Sequence, residues 1–311
     1  MKKGVISVFV SKFSNTALDL LAICKNHADQ KRARESRPMG KLSWERQSVV
    51  DGKRIACLYR KGNKPSVLFI HGFGSSKNAF DDAFDRTEFK SSTLLSADLV
   101  GFGDSDKPAD FSYRLEDQAI VLRKLLDQLG IDTFHLVAHS MGGIVGIELA
   151  EIIPQRICSF INVEGNITKE DCTMSGSVAD MSQEQFEQEG FERLKKGLAE
   201  ESEKTESSSL ADYLRDFAKA TPKSLYRTAL ATLKTSTSGN LVARFSSFPF
   251  YKCYVYGEKN KDIFPTEKIL RERGTPLFYV SNSGHSVMTE NPREFYDLIV
   301  EIILLRANGT Y

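Results

Sequence analysis

No run of about 18 or more apolar residues occurs in the chain, so no membrane-spanning helix is expected. An excess of one charge is missing too. The 42 basic and 41 acidic side chains leave a net charge of +1, which provides no footprint for nucleic acid or an anionic membrane. Cysteine is sparse: Cys24, Cys57, Cys158, Cys172 and Cys253 are scattered, odd in number and without a CxxC pair. That argues against a disulfide framework and for reduced, buried thiols in a cytoplasmic protein. Metal-ligand spacing is absent among His27, His71, His135, His139 and His285, with no HExxH, so no metal is expected. A secretory leader is barely suggested. Lys2 and Lys3 precede a short apolar run over residues 5–10, but Ser11 and Lys12 break it and no small-x-small cleavage site follows. The segment is read as no signal.

What is present is an ordinary globular composition, 41% apolar and 27% charged over 311 residues. That length suits one large α/β domain with an inserted subdomain, or two modest domains. Residues 1–43 form an extension of unassigned role. Within it, residues 15–27 have the spacing of a short amphipathic helix, and residues 30–38 are a basic, polar linker. From Trp44, the only tryptophan, strands are expected over 44–50 and 54–59, joined at the hairpin signal Asp51-Gly52. Apolar strands over 66–70, 92–95, 134–138 and 159–163 then alternate with helical segments over 120–129 and 141–153. Such alternation predicts a mostly parallel, doubly wound α/β sheet. From about residue 168 to 248 the chain turns helical and polar, with an exposed loop or frayed helix end expected over 200–209. Strands resume over 251–256 and 276–280, and a helix over 292–305 follows. The expected organisation is a core of residues 44–166 and 249–311 interrupted by a helical lid, 167–248.

The most informative stretch is Ala138-His139-Ser140-Met141-Gly142-Gly143, between an apolar strand and a helix. A serine hydroxyl lifted clear of a sheet needs a sharp strand-to-helix turn. The strained backbone of such a turn demands small residues two places before and after the serine. Ala138 and Gly142 occupy those places, with alanine a mild departure from G-x-S-x-G. Ser140 is therefore the candidate nucleophile.

Taken with His71-Gly72-Phe73-Gly74, Asp98 with Gly101-Phe102-Gly103-Asp104-Ser105, and Gly284-His285-Ser286, this stretch resembles the α/β-hydrolase superfamily. The similarity runs from about residue 44 to 305. The resemblance implies that His285, last in the chain order nucleophile, acid, histidine, is the catalytic base. It also implies an oxyanion hole from the backbone N–H groups of Phe73 and Met141. His71 and His139 flank the site as positioning groups.

The acid has two candidates. Most members carry Asp three residues after the glycine that ends the strand over 251–256, but here that residue is Asn260, and Asp262 lies two further on. Some members, notably many haloalkane dehalogenases, place a Glu after the strand that follows the nucleophile helix, and Glu164 stands there. Glu164 is preferred because Asn260 breaks the commoner pattern, with Asp262 as the alternative. Serine at position 140 disfavours dehalogenase and epoxide hydrolase chemistry, which use an aspartate nucleophile. The resemblance implies acyl transfer through a Ser140-acyl intermediate, with no metal or organic cofactor. The expected partner is a small-molecule, ester-like substrate of hydrophobic character. Thioester or carbon–carbon bond hydrolysis, acyl transfer to another acceptor, or an inactive ligand-binding member are the other readings.

Overall fold

The structure, a computed structural model, describes residues 44–238 and 240–307. The extension, with its expected helix, linker and leader-like start, lies outside the described residues. Eight strands form one sheet: β1 (Glu45–Val50), β2 (Lys53–Arg60), β3 (Asn63–Ile70), β4 (Ser92–Ala97), β5 (Phe134–His139), β6 (Ile157–Val163), β7 (Tyr251–Gly257) and β8 (Leu277–Val280). Their order is β1-β2-β4-β3-β5-β6-β7-β8. β1 and β2 pair antiparallel, as do β2 and β4, and every later pairing is parallel. The β1–β2 hairpin turns at Asp51 and Gly52, both with positive φ, as the Asp-Gly signal requires.

All six residues of β4 and of β5 are buried, as befits strands inside the sheet, and their serine, threonine and histidine side chains are enclosed along with the apolar ones. Alternate residues serve opposite faces. Leu68, Ile70, Leu136 and Ala138 join one core cluster, while Val67, Phe69, Val137 and Ile161 join the other. Helices cover both faces. α1 (Leu115–Leu129) and α2 (Met141–Ile152) pack on the first cluster through Leu122, Leu126, Ile144 and Ile147. The C-terminal helix packs on the second through Phe295, Tyr296, Ile299 and Ile303. Each such fully buried side chain contributes about 1.5–3 kcal/mol. α1 begins five residues before the sequence pattern suggests. Leu115 reaches the core, but Glu116 and Asp117 beside it complement the positive end of the helix instead and interrupt the apolar pattern.

Between β6 and β7 the chain is helical, with no strand among the described residues. It contains α3 (Thr173–Ala179), α4 (Phe191–Thr205), α5 (Ser208–Phe217), α6 (Pro222–Thr237) and α7 (Leu241–Ser247). The polar stretch 200–209 is not a loop. Helix α4 continues to Thr205, Glu206 turns left-handed at its end, and Ser207 caps α5 by accepting from the Leu210 amide at 3.2 Å. The core then resumes with β7, α8 (Pro265–Glu272), β8, the short helix α9 (Val287–Glu290) and α10 (Pro292–Ala307). No helix among the described residues is long and apolar enough to cross a membrane. Cys57, Cys172 and Cys253 are buried as expected, but Cys158 is exposed. Position 158 is the one exposed residue of β6, next to the start of the strand.

Candidate active site

The strand-to-helix turn after β5 presents Ser140 at φ 55° and ψ −125°, a conformation that costs about 1–3 kcal/mol for a residue other than glycine. Neighbouring backbone supports it. The Ser140 amide donates to the Val163 carbonyl at 2.9 Å, and the Ser140 carbonyl accepts from Gly143 at 2.8 Å and Asn166 at 3.2 Å. Gly142 is required by close approach. A Cβ there would stand 2.6 Å from the carbonyl oxygens of both Ile70 and His71, at the end of β3.

His285 arrives from the loop between β8 and α9. Its Nε2 lies 3.1 Å from Ser140 Oγ. Its Nδ1 faces Glu164 Oε2 at 3.6 Å. Glu164 sits at the end of β6, 4% exposed, also with positive φ. Its Oε1 accepts from the Gly257 amide at 2.7 Å and from Asn260 Nδ2 at 3.0 Å. The residue in the commoner acid position thus donates to the carboxylate in the rarer one. Asp262 lies exposed in the turn after β7, where its amide donates to Glu267 Oε2 at 2.6 Å. Of the two candidate acids, the structure brings Glu164 to the imidazole and leaves Asp262 at the surface.

The pairing of Asn260 with Glu164 has a testable electrostatic consequence. Asn260→Asp places a second carboxylate where an amide donor stood, and like charges raise one another's pKa. The acid limb of the kcat/KM profile is therefore expected to move to higher pH. A rate–pH series on wild type and variant measures this.

One contact at the serine carries no motif in the sequence. Ser140 Oγ donates to Asn166 Oδ1 at 2.8 Å. The orientation of that amide is set from behind, because Asn166 Nδ2 donates to the Asp171 carbonyl. The only signal was the position of Asn166, two residues beyond Glu164 at the same sheet edge. Asp171 is itself buried. Its carboxylate accepts from the Thr266 hydroxyl and the Thr168 amide, yet burial outweighs these bonds and pushes its pKa up to about 7.

The Gly72–Phe73 turn adjoins the serine, since a Cβ on Gly72 would stand 3.0 Å from Ser140 Cβ. Met141 opens α2 immediately after Ser140. From the helical insertion, the Tyr213 hydroxyl donates to the Phe73 carbonyl at 2.9 Å. Behind this turn Lys77, 2% exposed, lies between Asp98 at 3.2 Å and Asp104 at 2.7 Å. Lys219 of the insertion joins Asp104 at 2.9 Å. Burial works to raise the pKa of Asp104, but Lys77 and Lys219 outweigh it and hold the pKa at about 2.

Two further histidines stand near the serine. His71 Nε2 accepts from the Leu99 amide at 3.0 Å while Nδ1 meets the Gly72 carbonyl at 2.8 Å, and burial depresses its pKa. His139 is held well below the usual imidazole range, chiefly by burial and then by His285. Both are neutral rings with fixed partners, whereas the His285 side chain is 32% exposed. His135 packs away from the site against the Ser159 hydroxyl at 2.8 Å. No group of three or more His, Cys, Asp or Glu among the described residues is placed to hold a metal ion.

Comparison with known proteins agrees with this architecture. The chain is 41% identical over 87 residues to "Probable lysophospholipase BODYGUARD 4" of Arabidopsis thaliana, a stretch covering 27% of this chain and 21% of that protein. It is 37% identical over 94 residues to Lipase 3 of Moraxella sp. (strain TA144), covering 30% of this chain and 29% of the relative. These matches span under a third of the relatives' own lengths. Among solved structures, a thermophilic esterase from Thermogutta terrifontis superposes with a TM-score of 0.69 at 17% identity, covering 84% of this chain and 98% of its own. A membrane phospholipase A superposes with a TM-score of 0.65 at 19% identity, covering 97% and 93%. Likeness at those identities speaks for the fold alone. The family described as alpha/beta hydrolase fold matches residues 65–287, and the chain belongs to it.

Proposed function

We propose that the protein is a serine hydrolase acting on carboxylic esters of small or medium hydrophobic substrates. The observation that carries this reading is the line Ser140 Oγ, His285 Nε2, His285 Nδ1, Glu164 Oε2, with steps of 3.1 and 3.6 Å across the ring. In this reading Glu164 holds the proton on Nδ1, so that Nε2 is free to accept. Ser140 exchanges its bond to Asn166 for one to Nε2, and its oxygen attacks the ester carbonyl carbon. The proton passes to His285. Charge building on the carbonyl oxygen is met by the N–H groups of Phe73 and Met141. His285 then protonates the departing alcohol, and water, deprotonated by the same ring, releases the acid from Ser140.

Residues 167–248 act as a lid that shapes the acyl pocket. Support comes from aromatic side chains near the Phe73 turn. The Phe191 and Phe217 rings stack with centroids 5.6 Å apart, Tyr213 lies 5.9 Å from Phe217, and Phe73 meets Phe102 at 6.4 Å. An apolar wall of this kind favours a hydrophobic acyl group. Among the described residues, three buried thiols and an exposed one fit a reducing compartment such as the cytoplasm.

A panel of p-nitrophenyl esters of increasing acyl length tests the reading. We expect kcat/KM to rise beyond the acetyl ester, pass through a maximum and fall as the pocket is exceeded. Absence of turnover across the panel would overturn the assignment. An added alcohol or thiol acceptor that captures the acyl group in place of water would reassign the protein as a transferase.

A further inference from the structure

The two ring nitrogens of His285 face the groups the proposed reaction needs: Ser140 on one and Glu164 on the other. A base that must gain and lose a proton cannot rely on those two contacts for its position, because both change character during turnover. Its main chain, by contrast, is gripped from both sides. Glu290, 5% exposed, sits at the end of α9 with its carboxylate folded back over the loop. One oxygen, Oε2, accepts from the Gly284 amide at 2.8 Å, and the other, Oε1, accepts from the Ser286 amide at 3.0 Å. A single carboxylate thus takes the peptide N–H on each side of residue 285. From the opposite side, His139 Nε2 meets the His285 carbonyl at 2.9 Å, with the two rings 4.8 Å apart. Because its pKa is depressed, His139 is neutral, so a proton on Nε2 makes it a donor to that carbonyl.

We propose that Glu290 and His139 are positioning residues that clamp the backbone of His285, leaving its ring to move protons from a fixed pivot. This inference rests on the hydrolase reading for its catalytic consequence, though not for the clamp itself. Capping of α9 alone does not account for the arrangement. A cap needs the Ser286 amide, whereas the bond to Gly284 reaches past the helix to the residue before the histidine. Carboxylate acceptors also make stronger bonds than neutral ones, so the pair suits a loop that must not drift.

The test uses Glu290→Gln. The amide keeps one acceptor oxygen but turns an NH2 group towards the second peptide N–H. A base displaced by about 1 Å costs about 100-fold, so kcat on p-nitrophenyl butyrate is expected to fall about 10- to 100-fold with KM within about twofold. Glu290→Asp, one methylene shorter, keeps both oxygens and is expected to recover part of the loss. Equal kcat in Glu290→Gln and wild type would overturn the proposal. So would a KM rise that accounts for the whole loss, or a loss that tracks the fall in melting temperature. A second readout is independent of turnover. In the NMR spectrum of protein labelled with nitrogen-15 at histidine, the His285 ring signals are expected to broaden in Glu290→Gln and in His139→Phe. Unchanged, sharp signals in both folded variants would overturn the clamp even if no ester is hydrolysed. Lack of turnover in wild type with broadened variant signals would instead retire the hydrolase reading and keep the clamp.

Discussion

Replacement of Ser140 by alanine is expected to lower ester turnover by about 10,000-fold or more, since removing the nucleophile of a triad leaves only the contribution of binding and the oxyanion hole. The substitution removes one hydroxyl whose polar contacts are Asn166 and His285, at 2.8 and 3.1 Å. It leaves the backbone bonds of the turn in place, so the variant is expected to fold and to melt near the wild-type temperature. Two measurements on one preparation check the claim: initial rates with p-nitrophenyl butyrate, and covalent labelling by a fluorophosphonate probe. Both are expected to vanish together. Persistent labelling in Ser140→Ala would move the nucleophile elsewhere, and absence of labelling in wild type would point to an inactive, ligand-binding member of the family.

The second large effect separates the two candidate acids. Glu164→Gln keeps the size of the side chain and its acceptor for the Gly257 amide, but removes the charge facing His285 Nδ1 at 3.6 Å. Without that charge the imidazolium formed during attack loses its counter-ion, and an NH2 group turned towards the ring favours the wrong tautomer. Loss of the acid's charge in such a triad costs about 10,000-fold in kcat. Asp262→Asn, at an exposed turn, is expected to change kcat by less than about twofold. Steady-state kinetics on the two variants, with circular dichroism to verify folding, decides between them. A large loss in Asp262→Asn beside a near-normal Glu164→Gln would reverse the assignment.

The order of elements was legible in the sequence because a parallel sheet buried on both faces leaves apolar runs, as over residues 67–70 of β3. The helical insertion was legible for the opposite reason, a long stretch without such runs. The first turn of α1 was hidden because Glu116 and Asp117 answer to the helix end and to water, not to the core that periodicity detects. At the site, sequence motifs named Ser140, His285 and Glu164, which the fold brings to one sheet edge. They could not foresee Asn166, Asn260 or Glu290. A buried polar side chain whose partners are set by the turns of the folded chain has no periodicity and no spacing of its own. Glu290 stands in the sequence as an acidic residue just ahead of the expected C-terminal helix, until the loop at 284–286 is seen folding over it.

Both Ser140 and Glu164 leave their strands with positive φ, at 55° and 49°, and neither is glycine. Folding therefore works uphill at the two places where the proposed nucleophile and its proposed acid are displayed, and the surrounding sheet has to absorb the difference. A glycine at position 140 would relax the bend and discard the hydroxyl in the same stroke. The chain thus keeps a locally unfavourable geometry that random substitution tends to erase, and under the proposed mechanism stability gained at this corner is reactivity given away.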